Sequence, residues 1–213
     1  MAKNAKKSSG PKPERLSFPD DETRFDWLPM LLDAYYIADK GVHDGIKLRL
    51  NQGQKLACAK GCSTCCSTHI TIPVYPLELS GIYWYTMEKT ENDRRKALKE
   101  QLSNFTENDP CPFLIKGICG IHPMRPLACR HFNVFHKPCD ENEDPYFTRR
   151  NDVLTPIKKY KEKALAAMLP FHKITQRSEK IKAMKTGLIH TYAKNLQEVE
   201  WIKLAERLYI MAS

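Results

Sequence analysis

Apolar residues recur at steps of three and four between Asp26 and about Leu56, which is the spacing of a helix with one buried face. They are Trp27, Met30, Leu31, Ala34, Tyr35, Ala38 and Val42. Gly41 and Gly45 fall inside this pattern, and glycine is unfavourable in a helix interior. The pattern therefore predicts a helix that is interrupted at these glycines or breaks there into a second one.

Residues 68–76 are rich in β-branched side chains and contain two prolines, which predicts an extended segment. Pro76 suits the first turn of a following helix, and that helix carries Glu78. A charged helix is predicted next, over residues 93–105. Its apolar face consists of Leu98, Leu102 and Phe105.

Residues 106–150 contain six prolines and two glycines, which predicts loops and short turns. From about Asp152 the pattern is helical again and stays so to the end. One helix is marked by Leu165, Met168 and Leu169, and another by Leu188, Tyr192, Leu196, Val199, Ile202, Leu208 and Tyr209. We therefore expect a mainly α protein with an irregular, loop-rich cysteine cluster segment in the middle.

The composition of the 213-residue chain is that of a globular protein, with 42% hydrophobic and 28% charged residues. No run approaches the roughly 20 apolar residues of a membrane helix, and no apolar stretch follows the basic start as in a signal peptide. The net charge of +9 leaves nucleic acid or an acidic protein open as partners without indicating either.

All eight cysteines lie between Cys58 and Cys139. Without an export signal we expect the cytoplasm, where thiols are kept reduced, so the even count points to metal ligation rather than to disulfides. The chain then divides into a disordered basic tail (1–17), a cysteine-cluster metal-binding domain with N-terminal helices (18–150), and a C-terminal helical extension packed on it (151–213).

The spacing of the cysteines favours thiolate ligation of zinc or an iron–sulfur cluster. The first group is Cys58, Cys62, Cys65 and Cys66, and the second is Cys111, Cys119, Cys129 and Cys139. Neighbouring side chains in an extended chain point to opposite sides, so Cys65 and Cys66 are expected to serve different metals unless the backbone turns sharply between them.

Four thiolates around a divalent zinc carry excess negative charge that nearby cations can offset. Candidates beside the cysteines are Lys60, Arg125, Arg130 and His131, with ordinary surface charge as the alternative for the two arginines. The nearby histidines could replace a sulfur as ligand, but we expect them to lie outside the ligand set. They are His69, His122, His131 and His136.

The order of these strings resembles the YkgJ-type cysteine cluster family, a zinc- or iron-chelating domain. It runs Cys-x3-Cys-x2-Cys-Cys, Cys-Pro-Phe-Leu, Gly-x-Cys-x-Ile and Arg-Pro-x-x-Cys-Arg, followed by a final cysteine. The match is carried by Cys58, Cys62, Cys65, Cys66, Cys111, Cys119, Arg125, Pro126, Cys129 and Arg130, with Cys139 less securely placed. It covers roughly residues 55–140, with His122 where the family often has tyrosine. The resemblance implies metal or cluster binding.

Three other functions stay open at this point. A thiol-dependent enzyme, with Cys129 near His131, would leave seven cysteines without a role. Flagellin lysine methylases carry a similar cysteine segment, which implies a methyltransferase-associated role, although no glycine-rich cofactor-binding sequence is evident here. The basic helices after residue 151 could touch nucleic acid, but they lack its recognised motifs. We therefore expect a metal-binding protein rather than an enzyme, with a protein partner left open.

Overall fold

The structure, a computed structural model, describes residues 11–210, and α-helices dominate this range. The helices are α1 (Pro19–Arg24), α2 (Trp27–Asn51), α3 (Thr64–Thr68), α4 (Pro76–Trp84), α5 (Asn92–Ser103), α6 (Leu127–His131), α7 (Pro145–Thr148), α8 (Lys158–Met168), α9 (Arg177–Thr186) and α10 (Ile202–Ile210). The prediction of a mainly α protein is confirmed.

Short irregular turns and four two-residue strands connect the helices in the described range. A π turn spans Tyr85–Lys89, and 3-10 turns span His122–Met124, Arg150–Asp152, Leu169–His172, Leu188–Tyr192 and Leu196–Glu198. The strands are β1 (Pro73–Val74), β2 (Leu114–Ile115), β3 (Ile118–Cys119) and β4 (Lys194–Asn195). Antiparallel pairing joins β1 to β4 and β2 to β3.

Helix α2 runs unbroken through Gly41 and Gly45, so the predicted interruption at these glycines is wrong. A Cβ at Gly41 would lie 2.5 Å from the Cβ of Tyr160 on α8, and one at Gly45 would lie 3.1 Å from a methyl carbon of Leu154. The glycines therefore let α8 and the segment before it approach α2 closely. The gain in packing offsets their low helix propensity.

The core forms around α2, which is buried along one face from Leu28 to Ala38. Helix α8 packs on α2, and α10 packs on α5. Trp201, just before α10, is buried edge-on against Phe113 of the cysteine segment, with 4.8 Å between ring centroids. The C-terminal residues therefore contribute to the same hydrophobic core as the segment that carries the cysteines.

The single helix predicted around residues 188–208 is wrong. Gly187 ends α9 with a φ of +68°, and a 3-10 turn, β4 and a second 3-10 turn precede α10. The side chain of Asn195 accepts the N–H of Ile72 at 3.1 Å and donates to the carbonyl of Ile70 at 2.9 Å. These hydrogen bonds hold the extended segment before α4, and they require an extended backbone at Asn195.

Residues 1–10 of the predicted tail lie outside the described residues. Arg15 forms ion pairs with Glu22 at 2.8 Å and with Asp33 of α2 at 2.6 Å. Leu16 packs against the hydrophobic core. Contacts to the helices therefore begin before residue 17.

Among residues 11–210, no helix combines the length and apolar character needed to cross a bilayer.

Candidate metal centre

All eight cysteines line one cavity of about 510 Å³. Their thiols are free, with no disulfide among them. The cavity lies between the loop that leads into α3, the β2–β3 hairpin, α6 and the loop before α7. Chain segments as far apart as residues 58 and 139 therefore contribute sulfur atoms to a single space.

The first cysteines are positioned by a turn and by pairing with a later segment. Ala57 donates its N–H to the carbonyl of Val134 at 2.8 Å, and the N–H of Val134 points to the Sγ of Cys58 at 3.2 Å. Gly61 has a φ of +86°, a conformation that L side chains rarely adopt, and this lets the loop turn before Cys62. Cys62 is the exposed member of the group.

Cys65 and Cys66 lie on the short helix α3, so the expectation of an extended backbone with diverging side chains is wrong. The neighbouring thiols of Cys111 and Cys65, together with burial, shift the pKa of Cys66 to about 12. The backbone adds a further tie, because Cys111 donates its N–H to the carbonyl of Cys66 at 2.8 Å.

Two tight elements position the later cysteines. Cys119 lies on β3, opposite Leu114 of β2, and the two strands are joined by Lys116 and Gly117, both with positive φ. This is the two-residue turn that matches the twist of a hairpin. Cys129 lies on α6, which follows Pro126 directly.

The electrostatic neighbours of each thiol divide the cysteines into two neighbourhoods. Burial, together with nearby Cys58 and Cys62, raises the pKa of Cys139 to about 11. Burial raises the pKa of Cys129 well above its ordinary value, and there the sulfur neighbours are Cys66, Cys65 and Cys119. Cys65 belongs to both neighbourhoods, because it also raises the pKa of Cys58.

The thiols surround the cavity without forming a finished ligand set. Within the described range, no three or more His, Cys, Asp and Glu side chains stand in an arrangement that would hold a metal ion as it is. The donor chemistry nevertheless suits zinc and iron, which bind thiolate sulfur. Ligation would therefore require the thiols to close inward and to lose their protons.

Residues 57–153 match the model of the CxxCxxCC family, which is described as a putative zinc- or iron-chelating domain. Over this segment the chain is similar to that family. The match contains all eight cysteines and confirms the family resemblance seen in the sequence. Comparison with curated proteins and with solved structures found no match.

Two arginines of the matched segment face the thiols. Arg130 is buried, pairs with Asp39 of α2 at 2.7 Å and stacks over Tyr35. Arg125 is partly buried, and its guanidinium donates to the His122 ring at 2.9 Å from Nε2. No carboxylate lies within ion-pair distance of Arg125 in the described residues, so its charge is available to offset thiolates. Lys60 and His131 do not line the cavity.

Of the four candidate histidines, His69 and His122 line the cavity, whereas His131 and His136 do not. Burial and the neighbouring Arg125 lower the pKa of His122 to about 4, so its ring is neutral at pH 7. Burial also lowers the pKa of His69, although Asp144 lies 3.3 Å from its Nε2. Both rings therefore stand beside the sulfurs as neutral groups.

Sequence reasoning missed the support for α6. Glu78 is fully buried on α4, and its Oε1 accepts the N–H of Leu127 at 2.6 Å, at the start of the helix that carries Cys129. Its Oε2 accepts the N–H of Tyr75 at 3.0 Å. The bond to Tyr75 could have been predicted, because a glutamate at the third position of a helix often accepts the N–H of the residue that precedes the helix. The bond to Leu127 has no local signal.

The aromatic wall of the cavity was also missed. Phe132, Tyr146 and Phe147 line it, and Phe147 is 78% exposed. Their sequence positions carry no periodic pattern that would have placed them beside the cysteines.

Proposed function

We propose that this protein binds zinc or an iron–sulfur cluster through its eight cysteine thiolates, at two centres of four sulfurs each. The observation that carries the proposal is the single cavity lined by all eight thiols inside the matched chelating domain. We place this function in the cytoplasm, because eight unpaired thiols suit a reducing compartment.

The neighbourhoods of the sulfurs favour one division among the many that the sequence permits. The first centre takes Cys58, Cys62, Cys65 and Cys139, and the second takes Cys66, Cys111, Cys119 and Cys129. The backbone hydrogen bond from Cys111 to Cys66 and the influence of Cys66 and Cys119 on the pKa of Cys129 support the second set. Cys65 completes the first set, because Cys58 and Cys139 otherwise have only Cys62 beside them.

The surroundings suit negatively charged sulfur. A bound metal would keep the thiolates deprotonated, although burial raises the pKa of these thiols in the free protein. The N–H of Val134 directed at Cys58 and the guanidinium of Arg125 would then face developing negative charge. Buried charge of this kind requires such partners.

The identity of the metal is tested by anaerobic purification, elemental analysis and absorption spectroscopy. Iron with inorganic sulfide and broad visible absorption would identify a cluster, whereas a colourless protein containing zinc would identify zinc sites. A protein that contains neither metal, and takes up neither under reducing conditions, would contradict the proposal.

Single Cys→Ser variants test the division, because serine is a much poorer ligand for these metals. Cys62→Ser and Cys129→Ser should each remove about half of the bound metal, and the double variant should remove nearly all of it. Ser67→Ala, on the exposed side of α3, is the matched control and should retain full content. If Cys62→Ser or Cys129→Ser keeps the full metal stoichiometry, that cysteine is not a ligand.

Replacing Cys65 or Cys66 separately tests which centre each one serves. Spectra of the remaining centre should differ between Cys65→Ser and Cys66→Ser, because each variant retains a different set of four cysteines. Both variants should retain about half of the metal, so identical spectra of the remaining centre, recorded with bound iron or with cobalt in place of zinc, would contradict their assignment to separate centres.

A further inference from the structure

A second cavity of about 510 Å³ lies apart from the cysteines, where the end of α2 meets the 3-10 turn at Arg150–Asp152. No cysteine lines it, and its walls are predominantly polar. Arg49, Gln54, His136 and Arg150 contribute side chains to it. A cavity of this volume falls within the range of small-molecule sites.

Arg49 is held in place while one of its donors stays unused. Its guanidinium stacks on the ring of Phe135 at 4.8 Å, and Nη2 donates to the carbonyl of Asn151 at 2.5 Å. The Nε of Arg49 is buried and has no hydrogen-bond partner. A buried donor without a partner is costly, which makes it a good candidate to meet a ligand atom.

A second unused polar atom lies in the same wall. The Oε1 of Gln54, another residue that lines the cavity, is also buried without a partner. A singly protonated phosphate or phosphate ester has oxygens to accept from arginine and an O–H to donate to Gln54. A fully ionised carboxylate can only accept.

The charge around the cavity is predominantly positive. Arg150 stacks over Tyr146 at 4.6 Å, and neither it nor Arg49 has a carboxylate within ion-pair distance among residues 11–210. The acid in the wall is Asp152, whose Oδ2 lies 3.1 Å from Arg149 Nη1. Its Oδ1 lies 3.8 Å from Nε2 of His136. Arg149 pairs with both this acid and Glu143, the latter at 2.9 Å, whereas the two cavity arginines form no ion pair in the described range.

We propose that this cavity binds a phosphate group, either as inorganic phosphate or as the phosphate of a small ester. Planar guanidinium groups match phosphate oxygens in geometry and form strong, charge-assisted hydrogen bonds. Arg49 and Arg150 supply the positive charge, and the side-chain oxygen of Gln54 accepts a hydrogen bond from the protonated oxygen of the bound group. The site uses no cysteine, so it goes beyond the proposed metal chelation.

Isothermal titration calorimetry on the full-length, metal-loaded protein tests the site. Inorganic phosphate, glucose 6-phosphate and acetate are titrated separately at constant ionic strength. Saturable binding of either phosphate compound, with much weaker binding of acetate, is the expected result. The compound that binds more tightly, inorganic phosphate or the phosphate ester, identifies the source of the phosphate group. Equal or stronger binding of acetate would overturn the assignment to phosphate, and so would the absence of saturable binding at millimolar concentrations.

Variants locate the binding within the protein. Arg49→Gln and Gln54→Glu should each weaken phosphate binding at least about tenfold, because one removes a charged donor and the other adds a like charge to the wall. Gln54→Glu retains the size of the side chain and so guards against a loss caused by misfolding. Arg94→Gln, on exposed α5, removes one positive charge elsewhere and should bind as the wild type does. Equal affinity in all three variants would place the phosphate outside this cavity.

Discussion

Replacing Glu78 by glutamine should change how the stability of the protein depends on pH. Glu78 is fully buried between α4 and α6, and burial raises its pKa from an ordinary value of 4.5 to about 7. The N–H groups of Tyr75 and Leu127 oppose this rise, as does the positive charge of Arg130, but burial dominates. Glutamine keeps the size of the side chain and removes the titrating proton.

The direction of this pH dependence follows from how many protons the folded and unfolded states bind. Between about pH 4.5 and pH 7 the folded protein holds a proton on Glu78, and the unfolded chain does not. Stability from this group is therefore fully present below the unfolded pKa and is lost as the pH rises through the folded pKa. Each tenfold change in proton affinity corresponds to about 1.4 kcal/mol, so the full loss is about 3 kcal/mol.

Urea denaturation of the metal-loaded wild type and of Glu78→Gln, from about pH 5 to pH 8, measures this difference. Both proteins contain the same cysteines and the same metal, so those contributions largely cancel when the free energies of unfolding are subtracted. The wild type should lose most of the roughly 3 kcal/mol relative to the variant over this range. Glu100→Gln, an exposed change on α5, should show a difference independent of pH. A pH-independent difference for Glu78→Gln as well would refute the reasoning.

Two further predictions concern packing and metal-dependent folding. Gly41→Ala should lower the free energy of unfolding by about 1 kcal/mol or more, because overpacking against Tyr160 costs about 1–3 kcal/mol and exceeds the gain in helix propensity. Gly45→Ala should be neutral or slightly stabilising, because its Cβ meets only the end of a leucine side chain. Thermal denaturation in which Gly45→Ala is less stable than Gly41→Ala would contradict this account. Chelation under reducing conditions should make residues 106–150 sensitive to limited proteolysis while the C-terminal helices persist, because metal binding and local folding are coupled. Equal resistance with and without metal, mapped by mass spectrometry of the fragments, would show that the segment folds independently of metal.

Local sequence signals were sufficient to predict the helical class and the cysteine cluster. Helix α5 follows from its own apolar spacing, and the start of α4 follows from Pro76 with Glu78. The cysteine strings were sufficient to recognise the resemblance to the chelating family, because ligand spacing is a property of neighbouring residues. These features depend on contacts within a few positions of the chain.

Other features required the tertiary structure, because distant segments determine them. The close approach of α8 to Gly41 depends on tertiary packing, and the extended backbone at Asn195 is held by hydrogen bonds to residues about 125 positions away. The adjacency of Cys65 and Cys66 indicated divergent side chains in an extended chain, whereas both residues lie on the helix α3. The sequence by itself determined which chemistry the chain carries, since that depends on residue types and local spacing. The tertiary structure decided which sulfurs are neighbours and which polar groups are buried, since both depend on how remote segments pack.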